Sequence, residues 1–249
     1  VSMESRTDRC EPHITPLRIA FCVPNMSYVP QAAGGELHEA AAIQQAYIAA
    51  GLHGRGHSLR YVAPANFGDI FYCDEIQPPV RAERGWTGNR LFRLGSSAVW
   101  KLQKSVGIPY LNVFSNAQYR DGCIHCLSCC DVVHERNSIY NTGVAMACRH
   151  LKLPYVLFFD ADQLAEHEYM GQPISGLLRV RAEQMLHYNL ATADAIICVT
   201  KPARERLIHK WRVPAEKITV MPNAADVHSF HPCPEARQAA RAELGYTDD

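Results

Sequence analysis

The chain has 249 residues, enough for one large domain or two small ones, and its 47% hydrophobic and 20% charged residues are those of an ordinary globular protein. Its 25 Lys and Arg balance 25 Asp and Glu, which speaks against nucleic acid as a partner because the basic footprint is missing. No apolar run approaches the roughly 20 residues that span a bilayer.

Residues 1–15 are polar and lack the hydrophobic segment of a secretory signal, so residues 1–16 read as a disordered leader. The expected location is cytoplasmic, with peripheral contact at the inner face of a membrane left open. From Leu17 onward strand-like and helix-like segments alternate, which predicts an α/β fold with a mainly parallel sheet. Residues 17–24 form a buried first strand stopped by Pro24. A loop containing Gly34 and Gly35 follows. A helix then begins near Glu36, with Leu37, Ala40, Ile43, Tyr47 and Ala50 at helical spacing and Gly51 as its stop. Residues 58–63 and 70–76 read as the second and third strands.

Residues 88–106 predict a helix with Leu91, Leu94, Ala98 and Leu102 on one side, leading to a further strand over 107–114. The Cys-rich stretch 121–130 reads as an insertion. Next come a strand at 131–136, a helix at 138–151 capped by Asn137 or Ser138, and a strand at 154–159. The last third is the most regular. A helix at 175–193 turns Leu178, Ala182, Met185, Leu186 and Leu190 inward, and a strand follows at 194–199. A helix at 202–211 carries proline in its first turn, and a last strand lies at 217–221. This alternation describes a Rossmann-like, doubly wound sheet, whose ligands bind beyond the carboxyl ends of the strands.

Several residues at such positions could carry chemistry. Gly34 and Gly35 would let backbone N–H groups approach an anion at a helix N-terminus, although a Gly-Gly pair in a loop is more often just a tight turn. They are not G-x-G-x-x-G, so a nicotinamide dehydrogenase loses support. Glu135 and Arg136 end one strand, and Asp160 and Asp162 follow another. Against a role in a site stand a structural ion pair for the first two and helix capping for the aspartates. His134 reads as a satisfied core histidine, and Thr200 as an N-cap. The spacing Cys123-x-x-Cys126-x-x-Cys129-Cys130 raises a metal or redox module, with surface-loop thiols as the default.

The Gly34-Gly35 loop belongs to a longer pattern. Arg55-Gly56-His57 precedes the second strand, and Ala193-Asp194-Ala195-Ile-Ile-Cys-Val-Thr200 ends a late one. Lys217-Ile-Thr-Val-Met-Pro222-Asn223-Ala-Ala-Asp226 then precedes Phe230-His-Pro232. In this order the segments resemble glycosyltransferase family 4, with Ala224 where the family usually has glycine and Thr200 in place of serine. The resemblance implies the N-terminal half of a GT-B fold. Residues 17–222 would form the Rossmann-like acceptor-side domain, and 223–249 the linker and the start of a donor domain. It implies retaining transfer of a sugar from a nucleotide-sugar to a glycan, lipid-linked or small acceptor. Asp160, Asp162 and Glu135 would then be catalytic, and Gly34, Gly35 and Arg136 would bind phosphate. No cofactor or metal is required on this reading. The donor pocket would come from a missing C-terminal domain or a separate subunit, without which the chain is expected to be inactive. The alternatives are a non-catalytic half that binds an acceptor or partner, or the metal or redox module on Cys123, Cys126, Cys129 and Cys130.

Overall fold

A computed structural model describes residues 15–29, 39–65, 68–74, 77–108, 111–223 and 231–246. Among these, one sheet holds β1 (Arg18–Cys22), β2 (Ser58–Pro64), β3 (Ile70–Asp74), β4 (Val80–Arg81), β5 (Val132–Arg136), β6 (Tyr155–Phe159), β7 (Ala195–Cys198) and β8 (Ile218–Val220). Their order is β4-β3-β2-β1-β5-β6-β7-β8. Every pairing from β2 across to β8 is parallel, and only β3 and β4 join antiparallel at one edge. The helices are α1 (Ala40–His53), α2 (Arg90–Ser105), α3 (Val113–Leu127), α4 (Gly143–Leu151), α5 (Gln163–Tyr169), α6 (Gly176–Thr192), α7 (Lys201–His209) and α8 (Pro234–Glu243). The expected doubly wound α/β architecture is therefore present.

Central strands buried on both faces must be apolar where they are buried, as β6 is throughout and β1 is after the half-buried Arg18. Alternation along β1 sends Ile19 and Phe21 to one face, with Ala42 and Ala49 of α1, and Ala20 and Cys22 to the other. That second face is the larger core, closed by Tyr119, Cys123 and Leu127 of α3, Val144 and Cys148 of α4, and Leu186 and Leu190 of α6. The chain runs outward from β1 to β4, then returns to β5 on the other side of β1. The carboxyl ends of β1 and β5 thus flank the switch point, the crevice where such sheets take ligands.

Several expectations change. Gly51 does not stop α1, which runs through to His53 before Gly54, because a helical glycine in open space costs only about 1 kcal/mol. The strand expected at 107–114 is absent among the residues described there. Gly107 turns with φ +68°, Asn112 sits in the left-handed region, and α3 starts at Val113. Positions 109 and 110 lie outside the described residues. The Cys-rich stretch is not an insertion but the second half of α3 and the turn after it. Helix α4 starts at Gly143 rather than near Ser138, since Asn116 Oδ1 and Asn141 Oδ1 accept the Thr142 and Gly143 N–H groups at 2.8 and 3.1 Å. Strand β4 had no sequence signal. Finally, the Leu91, Leu94 and Leu102 side of α2 faces outward, 77%, 67% and 63% exposed, and α2 buries no residue.

Helices α3 and α4 approach so closely that Gly143 admits no side chain. A Cβ there would lie 2.5 Å from the Tyr119 ring.

Candidate active site at the switch point

Strand β5 divides its side chains between the two faces of the sheet, and that division decides which candidates meet. Val133 and Glu135 enter the core under α3 and α4, while His134 and Arg136 lie on the α1 face.

Arg136, at the carboxyl end of β5, pairs with Asp160, just past the end of β6. Its Nη1 donates to the Tyr28 hydroxyl at 3.2 Å, and its guanidinium lies 5.5 Å from the centroid of that ring. Tyr28 follows β1, so the group bridges the switch point itself. Burial raises the pKa of the Tyr28 phenol, and its bond to the Glu39 carboxylate raises it further, against the opposing charge of Arg136. The tyrosine therefore remains a neutral hydroxyl. Arg136 Nε and Asp160 Oδ1 are buried and have no hydrogen-bond partner among the described residues. Buried polar groups are nearly always paired, so one unpaired donor and one unpaired acceptor on adjoining strand ends mark this spot. Gln45 of α1, 1% exposed, likewise leaves both amide atoms unpartnered.

The other candidates are placed differently. Glu135 is 2% exposed, among Cys22, Cys148 and Tyr119, and accepts the Tyr155 hydroxyl at 2.5 Å. Burial pushes its pKa up to about 8, so it is largely a neutral acid at neutral pH. It does not reach the Arg136–Asp160 group. Asp162 is engaged throughout, as its Oδ1 caps α5 through Ala165 N at 3.4 Å. Its Oδ2 takes Lys210 Nζ at 3.0 Å, Trp211 Nε1 at 3.3 Å and Arg206 Nη1 at 3.6 Å. This carboxylate ties the loop after β6 to the end of α7. His134 stacks on Phe21 with centroids 4.7 Å apart, and burial holds its pKa down to about 4. Thr200 caps α7, its hydroxyl accepting Ala203 N at 3.1 Å. Gly34 and Gly35 lie outside the described residues.

Cys123, Cys126 and Cys130 are buried and Cys129 is exposed, with Arg60 Nη1 donating to its sulfur at 2.9 Å. Burial raises the Cys123 thiol well above its usual range and Cys130 to about 12, so both stay protonated and inert. Among the described residues no three His, Cys, Asp or Glu side chains gather where they could hold a metal ion. Cys123, Cys126 and Cys130 instead fill the α3 side of the core.

Tyr28 and Glu39 were missed in the sequence. They flank the Gly34-Gly35 loop, and an aromatic and an acid on the loop after the first strand of such a sheet were the available signal. Two hollows lie away from the switch point. One, of about 530 Å³, lies by Cys148, Lys152, Tyr188 and Asp194 at the amino end of β6. The other, of about 540 Å³, lies between α2 and α3.

No curated protein sequence matches the chain. Among solved structures it is similar to a glycosyltransferase from Rickettsia africae ESF-5 (11% identity, TM-score 0.50, covering 95% of this chain and 51% of that one). It is also similar to the UDP-N-acetylglucosamine 2-epimerase of Rickettsia bellii (12%, 0.47, 94% and 50%). A third is HepE of Anabaena, solved with UDP-glucose (14%, 0.46, 92% and 50%). The chain spans about half the length of each, and its sheet is that of the first, Rossmann-like half of a GT-B fold. The model of glycosyltransferase family 4 matches residues 42–229, more than half of the sequence, and the chain therefore belongs to that family.

Proposed function

We propose that this chain is the acceptor-side half of a retaining glycosyltransferase that moves a sugar from a nucleotide-sugar to a carbohydrate, lipid-linked or small acceptor. One observation carries the reading beyond family membership. A half-buried arginine, its side chain 12% exposed, stands at the switch point, held by Asp160 and Tyr28, with its Nε buried and unpaired among the described residues.

In such a transfer the acceptor oxygen bonds to the anomeric carbon as the bond to the diphosphate breaks, and negative charge gathers on the leaving group. A fixed cation in a partly dry crevice stabilises that charge far better than one in water. Arg136 supplies it, so the reaction calls for no resident metal or cofactor. Asp160 orients the guanidinium, and its Oδ1, unpartnered among the described residues, can accept a hydrogen bond from an acceptor hydroxyl. The loop of Gly34 and Gly35 adds backbone N–H groups toward a phosphate. Glu135 and Asp162 serve the fold on this reading, as a neutral core acid and a loop tie. Residues 17–222 act as one domain, and residues beyond 223 lead toward a second half that supplies the donor pocket.

The test is titration of the 249-residue chain with UDP-glucose, GDP-mannose and inorganic pyrophosphate, for wild type, Arg136→Ala and Asp162→Ala. Arg136→Ala is expected to weaken the phosphate-bearing ligand that binds by about tenfold to a hundredfold, the value of a charge-assisted contact. Asp162→Ala is expected to lower the melting temperature and leave affinity alone. Unchanged affinity in Arg136→Ala overturns the role of Arg136. Turnover of a nucleotide-sugar by this chain alone overturns the assignment of the donor pocket to a second half.

A further inference from the structure

Helix α2 is a sixteen-residue helix with no buried residue. It touches the body through half-buried Phe92, Ser96 and Gln103, which lie along one line of the helix. Leu91, Leu94, Ala98 and Leu102 stack on a second line and all four are exposed, whereas Trp100 falls on the opposite side of the helix and Trp86, before the helix, packs edge to face with Phe92. Arg90, Arg93, Lys101 and Lys104 occupy a third. Between Trp86 and Ile108 there is not one Asp or Glu. Among the described residues none of these four cations is paired with a carboxylate, and Lys104 rests over the Trp100 ring, 5.4 Å from its centroid. Arg93 and Lys101 continue into the hollow between α2 and α3, where Trp100 and Phe114 complete the wall.

A leucine stripe left in water is unfavourable, and a contiguous apolar patch on a protein surface marks something it binds. Charge decides what that is. A second copy of this chain docked through the same face would bring two sets of four cations together. An acidic lipid surface would neutralise them while its acyl boundary takes up the leucines. We propose that α2 lies in the plane of an anionic bilayer, with Leu91, Leu94 and Leu102 inserted and the four cations among the lipid phosphates. The helix is too short to cross, and among the described residues no helix is long and apolar enough to do so. The inference stands apart from the proposed transfer chemistry, since it rests on no residue of the switch-point site.

Flotation of the purified chain with vesicles tests it, using phosphatidylcholine alone and phosphatidylcholine mixed with phosphatidylglycerol. The wild type is expected to float with the mixed vesicles and not with the neutral ones. Leu94→Glu with Leu102→Glu is expected to abolish flotation. Lys101→Gln with Lys104→Gln is expected to weaken it about thirtyfold, each cation near an anionic surface being worth roughly fivefold. Both pairs lie on the exposed surface of α2, and unchanged thermal melting shows that they still fold. Failure of the wild type to float overturns the proposal, as does equal binding to neutral vesicles. Concentration-dependent dimerisation abolished by the leucine variants, without vesicle binding, also overturns it and assigns the face to a second copy.

Discussion

Helices α2 and α3 are neighbours in sequence with opposite relations between pattern and burial. Helix α2 has the cleaner apolar stripe and buries nothing, whereas α3, with Asn116, Gln118, Arg120, Asp121 and His125 among its residues, lies against the sheet and contributes Tyr119, Cys123, Cys126 and Leu127 to the core. Amphipathic spacing therefore says that a helix has an apolar side, not what covers it. What seats α3 is small size and satisfied polarity. Gly122 lies close to Ile70, Cys123 and Cys126 fill space as small hydrophobes, and Asp121 accepts both the backbone N–H and the hydroxyl of Thr87, at 2.9 and 2.6 Å.

Three substitutions sharpen or break this contrast. The largest effect is expected where α3 meets α4. Gly143→Ala drives a methyl group into Tyr119 and should cost about 3 kcal/mol, near the upper end for overpacking, read as a shift in the denaturant midpoint. A loss below about 0.5 kcal/mol, within the scatter of surface changes, would mean that the helices separate freely.

The second effect depends on pH and comes from the carboxyl group that this core covers. Folded Glu135 titrates near 8 against 4.5 when unfolded, so the unfolded chain gives up its proton first and stability is lost as pH rises from 4.5 to 8. Its neighbour His134 runs the other way. It titrates near 4 when folded and 6.5 when unfolded, so its contribution is complete above 6.5 and is lost as pH falls through 4. The two slopes offset between 4.5 and 6.5, and above 6.5 only the loss from Glu135 remains. Melting curves should show wild-type stability falling by about 2 kcal/mol from pH 6.5 to 8, at roughly 1.4 kcal/mol per pH unit. Glu135→Gln should flatten that limb, and a variant with the same slope as wild type would remove Glu135 as its source.

The smallest effect is expected on α2. Leu94→Glu should change stability by less than about 0.5 kcal/mol, because the side chain is already in water. A loss of 2 kcal/mol or more, the cost of emptying a core position, would show that α2 is covered in the isolated chain and would end the contrast.

Much of the fold was legible in the sequence because buried parallel strands are short, continuous apolar runs. The runs at Arg18–Cys22, Tyr155–Phe159 and Ala195–Cys198 have few other readings. Thr200 as a cap was legible for a similar reason, since a hydroxyl just before a proline-led helix has one obvious use. Residues 107–114 and 121–130 were misread because local apolarity and thiol spacing carry no information about tertiary neighbours. The candidate site was only partly legible. The sequence named Arg136 and Asp160 from their strand ends, and the structure joins them. It grouped Glu135 with them because the two are adjacent in the chain, but adjacency along a strand puts side chains on opposite faces. Tyr28 reaches Arg136 across 108 residues, a distance no local pattern can bridge.

That same separation governs when the crevice can come into being. The edge between β1 and β5 closes contacts such as Arg18 N to Asp131, 113 residues apart. A chain emerging from the ribosome therefore holds β1 unpartnered on that side until a further 113 residues have been made. Long-range pairings of this kind slow folding, because the entropy of loop closure is spent before the contact forms. In the interval the outgoing strands β2, β3 and β4 can already pair locally, and Asp160, 24 residues beyond Arg136, completes the crevice last.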